Sequence, residues 1–228
     1  MKILGIETST MLGGVAIADE KGLIAETRLN VKSTHSERLM ATIDEQLRQS
    51  ELVLCDIDAF AVASGPGSFT GLRIGLSTAK GLCYATGKPL VMVPTLEAFA
   101  RSFAFSRHPV CVMLDARRGE VYAAVFQWDG GFIKLLDEVS AAPEDLFRNV
   151  DSPVVLAGEG AVVYRERLVA VLGERAIFAP LVTMVPSPAN VAMLGLEKAL
   201  QGEFTDALAA EPFYIRKSEA EVKWSAKR

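Results

Sequence analysis

An apolar run at 3–6 ends in Glu7-Thr8-Ser9-Thr10, and after Gly13-Gly14 a second apolar run resumes at 15–18. Short apolar runs broken by glycine turns predict a hairpin, and a third strand follows at 23–29 after the turn at 19–22. Leu39, Met40, Ile43 and Leu47 then recur at helical spacing, and Thr34 with Glu37 three residues later forms a capping box for that helix. A strand at 59–63, a glycine-rich stretch and a helix at 71–86 complete a β-β-β-α-β-α series, and a strand at 90–93 and a helix at 95–103 follow.

The same order returns in the second half. Strands are predicted at 110–115, 121–127 and 132–136, a helix at 143–147, a strand at 153–156, and helices at 161–172 and 189–200. In both halves the first apolar strand ends in an acid, Glu7 and then Asp115, followed by a hairpin. The pattern predicts an α/β fold made of a duplicated unit, two ribonuclease-H-like lobes sharing a cleft. The lobes are expected at 1–106 and 107–228, with the last helix and tail able to pack back on the first lobe. A length of 228 residues fits two compact units.

Composition narrows the class. Half the residues are hydrophobic and 23% are charged, so a large core is available and disorder is confined to the C-terminal tail from Lys217, which mixes basic residues with Trp224. A net charge of −4 argues against gripping nucleic acid unaided, because phosphate contacts come chiefly from Lys and Arg. Cys55, Cys83 and Cys111 form no C-x-x-C pair, which points to neither a disulfide framework nor a zinc site and fits a reducing cytoplasm. No run reaches the length of a membrane span, and the N-terminus lacks a signal-peptide pattern.

The stretch ASGPGSFTGLRIG at 63–75 invites a phosphate-binding reading, and its details weaken it. A P-loop places Lys and Ser/Thr after its last glycine, whereas Gly71 is followed by Leu72 and Arg73. A dinucleotide fingerprint needs a third glycine where Thr70 stands. A helix N-terminus remains a general anion site, and Arg73 so near it calls for an acidic partner or a bound anion. Gly71, Gly75 and Ala79 fall at i, i+4 and i+8, with Gly81 beyond, and each glycine costs a helix about 1 kcal/mol relative to alanine. Such a small-residue stripe either packs against its own lobe or admits a helix of another chain.

Other candidate chemistry is thin. His35 and His108 are the only histidines, too few for a histidine-based metal site, and neither Ser9 nor Ser68 sits in the G-x-S-x-G setting of a hydrolase.

LGIETST at 4–10, SGPGSFTGLRIG at 64–75, DARRGEVYAAVF at 115–126, PSPANV at 186–191 and PFYIRKS at 212–218 closely resemble the bacterial TsaB family, also called YeaZ. The resemblance implies the two-lobe fold of the actin, Hsp70 and sugar-kinase superfamily. It also implies a non-catalytic scaffold, not an enzyme, without cofactor or metal. Such a subunit binds and activates TsaD, which transfers a threonylcarbamoyl group to the adenosine beside the anticodon of certain tRNAs. TsaE, an ATPase, joins the assembly, the chain pairs with itself when alone, and tRNA is met only through the complex. TsaD relatives carry two metal-binding histidines after the fifth strand, where Thr95 and Phe99 stand here, and a glycine-rich phosphate turn where residues 115–120 read DARRGE. Family members pair through the first two long helices, which implies an interface of Arg38, Thr42, Ile43, Gly71, Gly75, Thr78 and Leu82. The alternative is an ATP-dependent sugar-kinase-like enzyme or ATPase in which Glu7 and Asp115 position Mg²⁺ and water; otherwise those acids are remnants that accept turn N–H groups.

Overall fold

Each half of the chain folds into its own five-stranded sheet, and the two share one strand order. A computed structural model describes residues 1–30 and 35–216. In the first lobe β1 (Ile3–Glu7), β2 (Leu12–Asp19), β3 (Gly22–Asn30), β4 (Ala59–Gly65) and β5 (Leu90–Pro94) lie in the order β3-β2-β1-β4-β5. In the second, β6 (Val110–Arg117), β7 (Glu120–Trp128), β8 (Phe132–Ala141), β9 (Val154–Ala157) and β10 (Ala176–Phe178) lie in the order β10-β9-β6-β7-β8. Read from the third strand of each lobe the two orders are identical. The first three strands are antiparallel, and the fourth and fifth run parallel to the first.

Parallel strands of this kind are covered on both faces and read as continuous apolar runs, as β1 does. The helices are α1 (His35–Gln49), α2 (Phe69–Thr86), α3 (Thr95–Ala100), α4 (Glu159–Val163), α5 (Arg165–Leu172) and α6 (Pro188–Leu200). Strand alternation sends Leu4, Ile6, Val15 and Ile17 toward Leu39, Ile43, Leu47 and Leu76 of α1 and α2. Ile3, Ala16, Ala61 and Val91 lie on the other face with Val191, Leu194 and Leu196 of α6. Although it follows the second lobe, α6 therefore covers the first sheet. Glu26 of β3 holds its start, accepting from the Ser187 hydroxyl at 2.6 Å and the Ala189 N–H at 3.0 Å. Burial opposes the charge on Glu26, yet the bonds from Arg28, Ser187 and Ala189 keep its carboxyl below the usual range.

The helix expected at 143–147 is present as a 3₁₀ helix, Pro143–Phe147. Two expectations are corrected. The helix expected at 161–172 is two helices, because Tyr164 leaves helical geometry at φ −105° and ψ 24°. Strand β10 was not foreseen, since three residues are too few to display a period of two. The capping box at Thr34 and Glu37, the side chain of His35 and the tail from Lys217 lie outside the described residues. No described helix is long and apolar enough to cross a membrane.

Candidate functional site

The glycine-rich stretch is a junction between β1 and α2. Ser68 caps α2, its Oγ accepting from the Gly71 N–H at 3.3 Å, and its own N–H donates to the Ser9 carbonyl at 2.7 Å. A Cβ on Gly71 would stand 1.9 Å from the Thr8 carbonyl oxygen, and one on Gly75 would stand 2.3 Å from Thr8 Oγ1. The Thr8 hydroxyl meanwhile donates to the Gly71 carbonyl at 2.8 Å. The helix can press this close to the end of β1 only because both positions lack a side chain. Gly71 and Gly75 are thus buried in their own lobe, and so is Ile43; none of the three presents a surface to a partner. Gly81 differs: it is exposed, and a Cβ there would meet nothing within 4 Å.

Arg73 has no acidic partner among the described residues. Its guanidinium lies 3.9 Å over the Phe69 ring, and its Nε donates to the Tyr214 hydroxyl at 3.1 Å. Delocalised charge over an aromatic face explains how a cation persists near a helix N-terminus.

Between the lobes lies a cleft of about 510 Å³, lined by Ser9, Thr10, Ser68 and Thr70 on one side and by Asp115, Arg117, Glu159 and Val163 on the other. In each lobe the acid at the end of the first strand closes on its own turn. Ser9 N–H donates to Glu7 Oε1 at 2.6 Å, and Arg117 N–H donates to Asp115 Oδ1 at 2.9 Å. These acids accept turn N–H groups, as the remnant reading expects. Their surroundings differ. Glu7 is fully buried, and burial pushes its carboxyl up to about 7 against the opposing pull of the Ser9 N–H. Neither Glu7 Oε2 nor Ser9 Oγ completes a hydrogen bond. Asp115 also accepts the Tyr164 hydroxyl at 3.0 Å and lies 3.8 Å from Arg117 Nε. Glu159, partly buried beside Asp115, is raised by burial, with the neighbouring negative charge adding to the rise.

Thr95 and Phe99 are structural. Thr95 Oγ1 accepts the Gly65 N–H at 3.0 Å, and Phe99 is buried against Phe103 with ring centroids 6.1 Å apart. No group of three or more His, Cys, Asp or Glu side chains suited to a metal forms among the described residues. Burial pushes the Cys83 thiol up to about 11 and the Cys111 thiol up to about 12, which makes both poor nucleophiles.

On the outer face, α1 and α2 frame a groove of about 460 Å³ lined by Met40, Leu54, Ser77, Thr78, Gly81, Leu82 and Ala85. Met40 is 54% exposed and Tyr84 90% exposed. Of the seven residues implied for an interface, Thr78 and Leu82 line this groove. Arg38 and Thr42 line a separate concavity, between α1 and β3, with Thr27, Leu29, Ala41 and Glu45. Gln46, placed by its spacing on the same face as Arg38 and Thr42, is buried and accepts the Thr27 hydroxyl. Gly81 and Met40, noted in the sequence but left out of the implied interface, also line the groove, as do Leu54, Ser77 and Ala85.

Residues 23–224 match the family model described as TsaD: tRNA N6-adenosine threonylcarbamoyltransferase. The tRNA threonylcarbamoyladenosine biosynthesis protein TsaB of Bacillus subtilis is 32% identical, with 98% of each chain covered. The solved structure of YeaZ from Pseudomonas aeruginosa superposes with a TM-score of 0.79 at 28% identity, over 93% of this chain and 99% of that one. A ROK hexokinase from Thermus thermophilus, at 14% identity and a TM-score of 0.50, covering 87% of this chain and all of that one, shares the fold alone. Its sugar-kinase fold agrees with the paired sheets described above. With a relative matched from end to end and the glycine-rich junction in place, the chain belongs to the TsaB (YeaZ) family.

Proposed function

We propose that this protein serves tRNA threonylcarbamoyladenosine biosynthesis as a non-catalytic cytoplasmic subunit that binds and activates a TsaD protein through the groove between α1 and α2. The observation that carries the reading is the contrast along one helix. Gly71 and Gly75 are required by the chain's own backbone, whereas Gly81 faces open space beside exposed Met40 and Tyr84. An exposed glycine in a helix interior costs about 1 kcal/mol relative to alanine, and close approach of another helix offsets that cost. Thr78 contributes the neighbouring surface and buried Leu82 the groove floor, whereas Arg38 and Thr42 lie apart from it, in the concavity between α1 and β3. The same groove would pair two copies when the partner is absent. TsaE and tRNA enter through the TsaD partner.

The cleft supports a subunit better than a kinase. Glu7 and Asp115 each accept an N–H of the turn that would otherwise meet a phosphate. Activation follows if docking favours one conformation of TsaD, since a partner shifts an equilibrium only by its differential affinity. Reconstitution of tRNA modification with and without this chain tests the proposal, and modification at full rate without it overturns it. Calorimetry with Mg-ATP is expected to show no tight binding to the isolated chain; tight binding would favour the kinase reading.

A further inference from the structure

After α6 the chain returns across the first lobe. Thr205 bridges to Leu90 at the edge of β5, Lys80 donates to the Leu208 carbonyl at 3.2 Å, and the Phe213 N–H donates to the Ser64 carbonyl at 2.7 Å. Gly65 makes this seat: at φ +119°, a Cβ there would lie 2.3 Å from the Phe213 carbonyl oxygen. Tyr214 stacks on Phe69 with centroids 5.0 Å apart and planes 29° apart, and its hydroxyl accepts from Arg73. Two residues later Arg216 reaches the second lobe, pairing with Glu120 beside the β6–β7 turn at 2.8 Å.

The two ends of this segment are held unequally. On the first lobe it has a backbone hydrogen bond, a stacked ring and a glycine-shaped seat. On the second it has one ion pair whose side chains are 33% and 39% exposed, and pairs this open to water contribute little. The covalent connections between the lobes at 104–109 and 179–187 contribute no residue to the cleft lining, whereas Tyr214 and Arg216 both line it. We infer that residues 211–216 form a releasable latch, seated on the first lobe by Phe213 and Tyr214 and clasped to the second by Arg216 and Glu120, that sets the opening of the inter-lobe cleft. Release would hydrate the cleft wall at Ser9, whose Oγ now lies buried without a completed hydrogen bond.

Spin labels at Met11→Cys and Val163→Cys, on opposite walls of the cleft, with Cys55→Ser to remove the exposed native thiol, report the opening as a distance distribution. Arg216→Gln and Glu120→Gln are each expected to lengthen and broaden that distribution, and the double variant to do no more than either alone. Glu120→Gln keeps an acceptor for Ser140, so its effect isolates the lost charge. Tyr214→Ala, which removes the ring stacked on Phe69, is expected to lengthen the distance as well. Unchanged melting temperatures would establish that each variant is folded. A distribution unmoved by both glutamine variants, or additive effects in the double variant, overturns the latch.

Discussion

The two lobes share a strand order yet use the helix after their fourth strand differently. Each lays that helix against its first strand through a glycine: a Cβ on Gly71 would stand 1.9 Å from the Thr8 carbonyl oxygen, and one on Gly158 would stand 2.0 Å from that of Met113. Beyond that point they diverge. In the first lobe α2 is 18 residues long and presents a groove with α1. In the second, α4 stops after 5 residues, and Tyr164 at the break donates to Asp115. The strand-end acids diverge in step, since Asp115 gains a tyrosine and an arginine while Glu7 is sealed in with one turn N–H. One copy of the unit keeps a long helix whose outer face we propose for another chain, and the other uses its helix break to satisfy its acid.

The largest expected effect breaks the shared device. Gly71→Leu drives a side chain into the backbone of Thr8 and is expected to abolish folding, and Gly158→Leu should do the same in the second lobe at a residue with φ +106°. Circular dichroism of the expressed variants checks this; a cooperative melt near that of the parent protein would contradict it. Gly75→Leu belongs to this class, because it meets Thr8 Oγ1 before it meets any partner.

Next in size is the difference between the acids. Glu7 starts near 4.5 and is raised to about 7 on folding, so the folded state prefers it protonated. Its contribution to stability is therefore fully present below pH 4.5 and is lost as pH rises through 7, a change of order 3 kcal/mol. Glu7→Gln should flatten that part of the stability-versus-pH curve and raise the melting temperature at pH 8. Denaturant titrations at pH 5 and pH 8 measure it, and a parent protein equally stable at both would count against a buried protonated Glu7. A smaller effect is expected from Tyr164→Phe, which removes a hydrogen bond to a carboxylate worth about 1 to 2 kcal/mol without disturbing the first lobe. Chemical denaturation would detect it, and no change would mean that the helix break has another cause.

Much of this was legible in the residues. Continuous apolar runs ending in Glu7 and Asp115 marked the first strand of each lobe, because covered parallel strands tolerate little else. The i, i+4, i+8 spacing disclosed the stripe of Gly71, Gly75 and Ala79 but not the side it faced, since periodicity defines a face without naming its neighbour. The neighbour is Thr8, more than 60 residues earlier. The Thr27–Gln46 bond and the return of Tyr214 to Phe69 were hidden for the same reason: they join segments far apart in sequence. Tyr164 carried no local sign that its hydroxyl would be used, so α4 and α5 were expected as one helix.

The central claim is that α2 has an inner face that serves the fold and an outer face that serves a partner. The most direct test is calorimetric titration of the Gly81→Leu variant with the TsaD protein of the same cell. The account predicts a melting temperature close to that of the parent protein together with at least about tenfold weaker binding, roughly 1.4 kcal/mol. Binding as tight as that of the parent protein would contradict it.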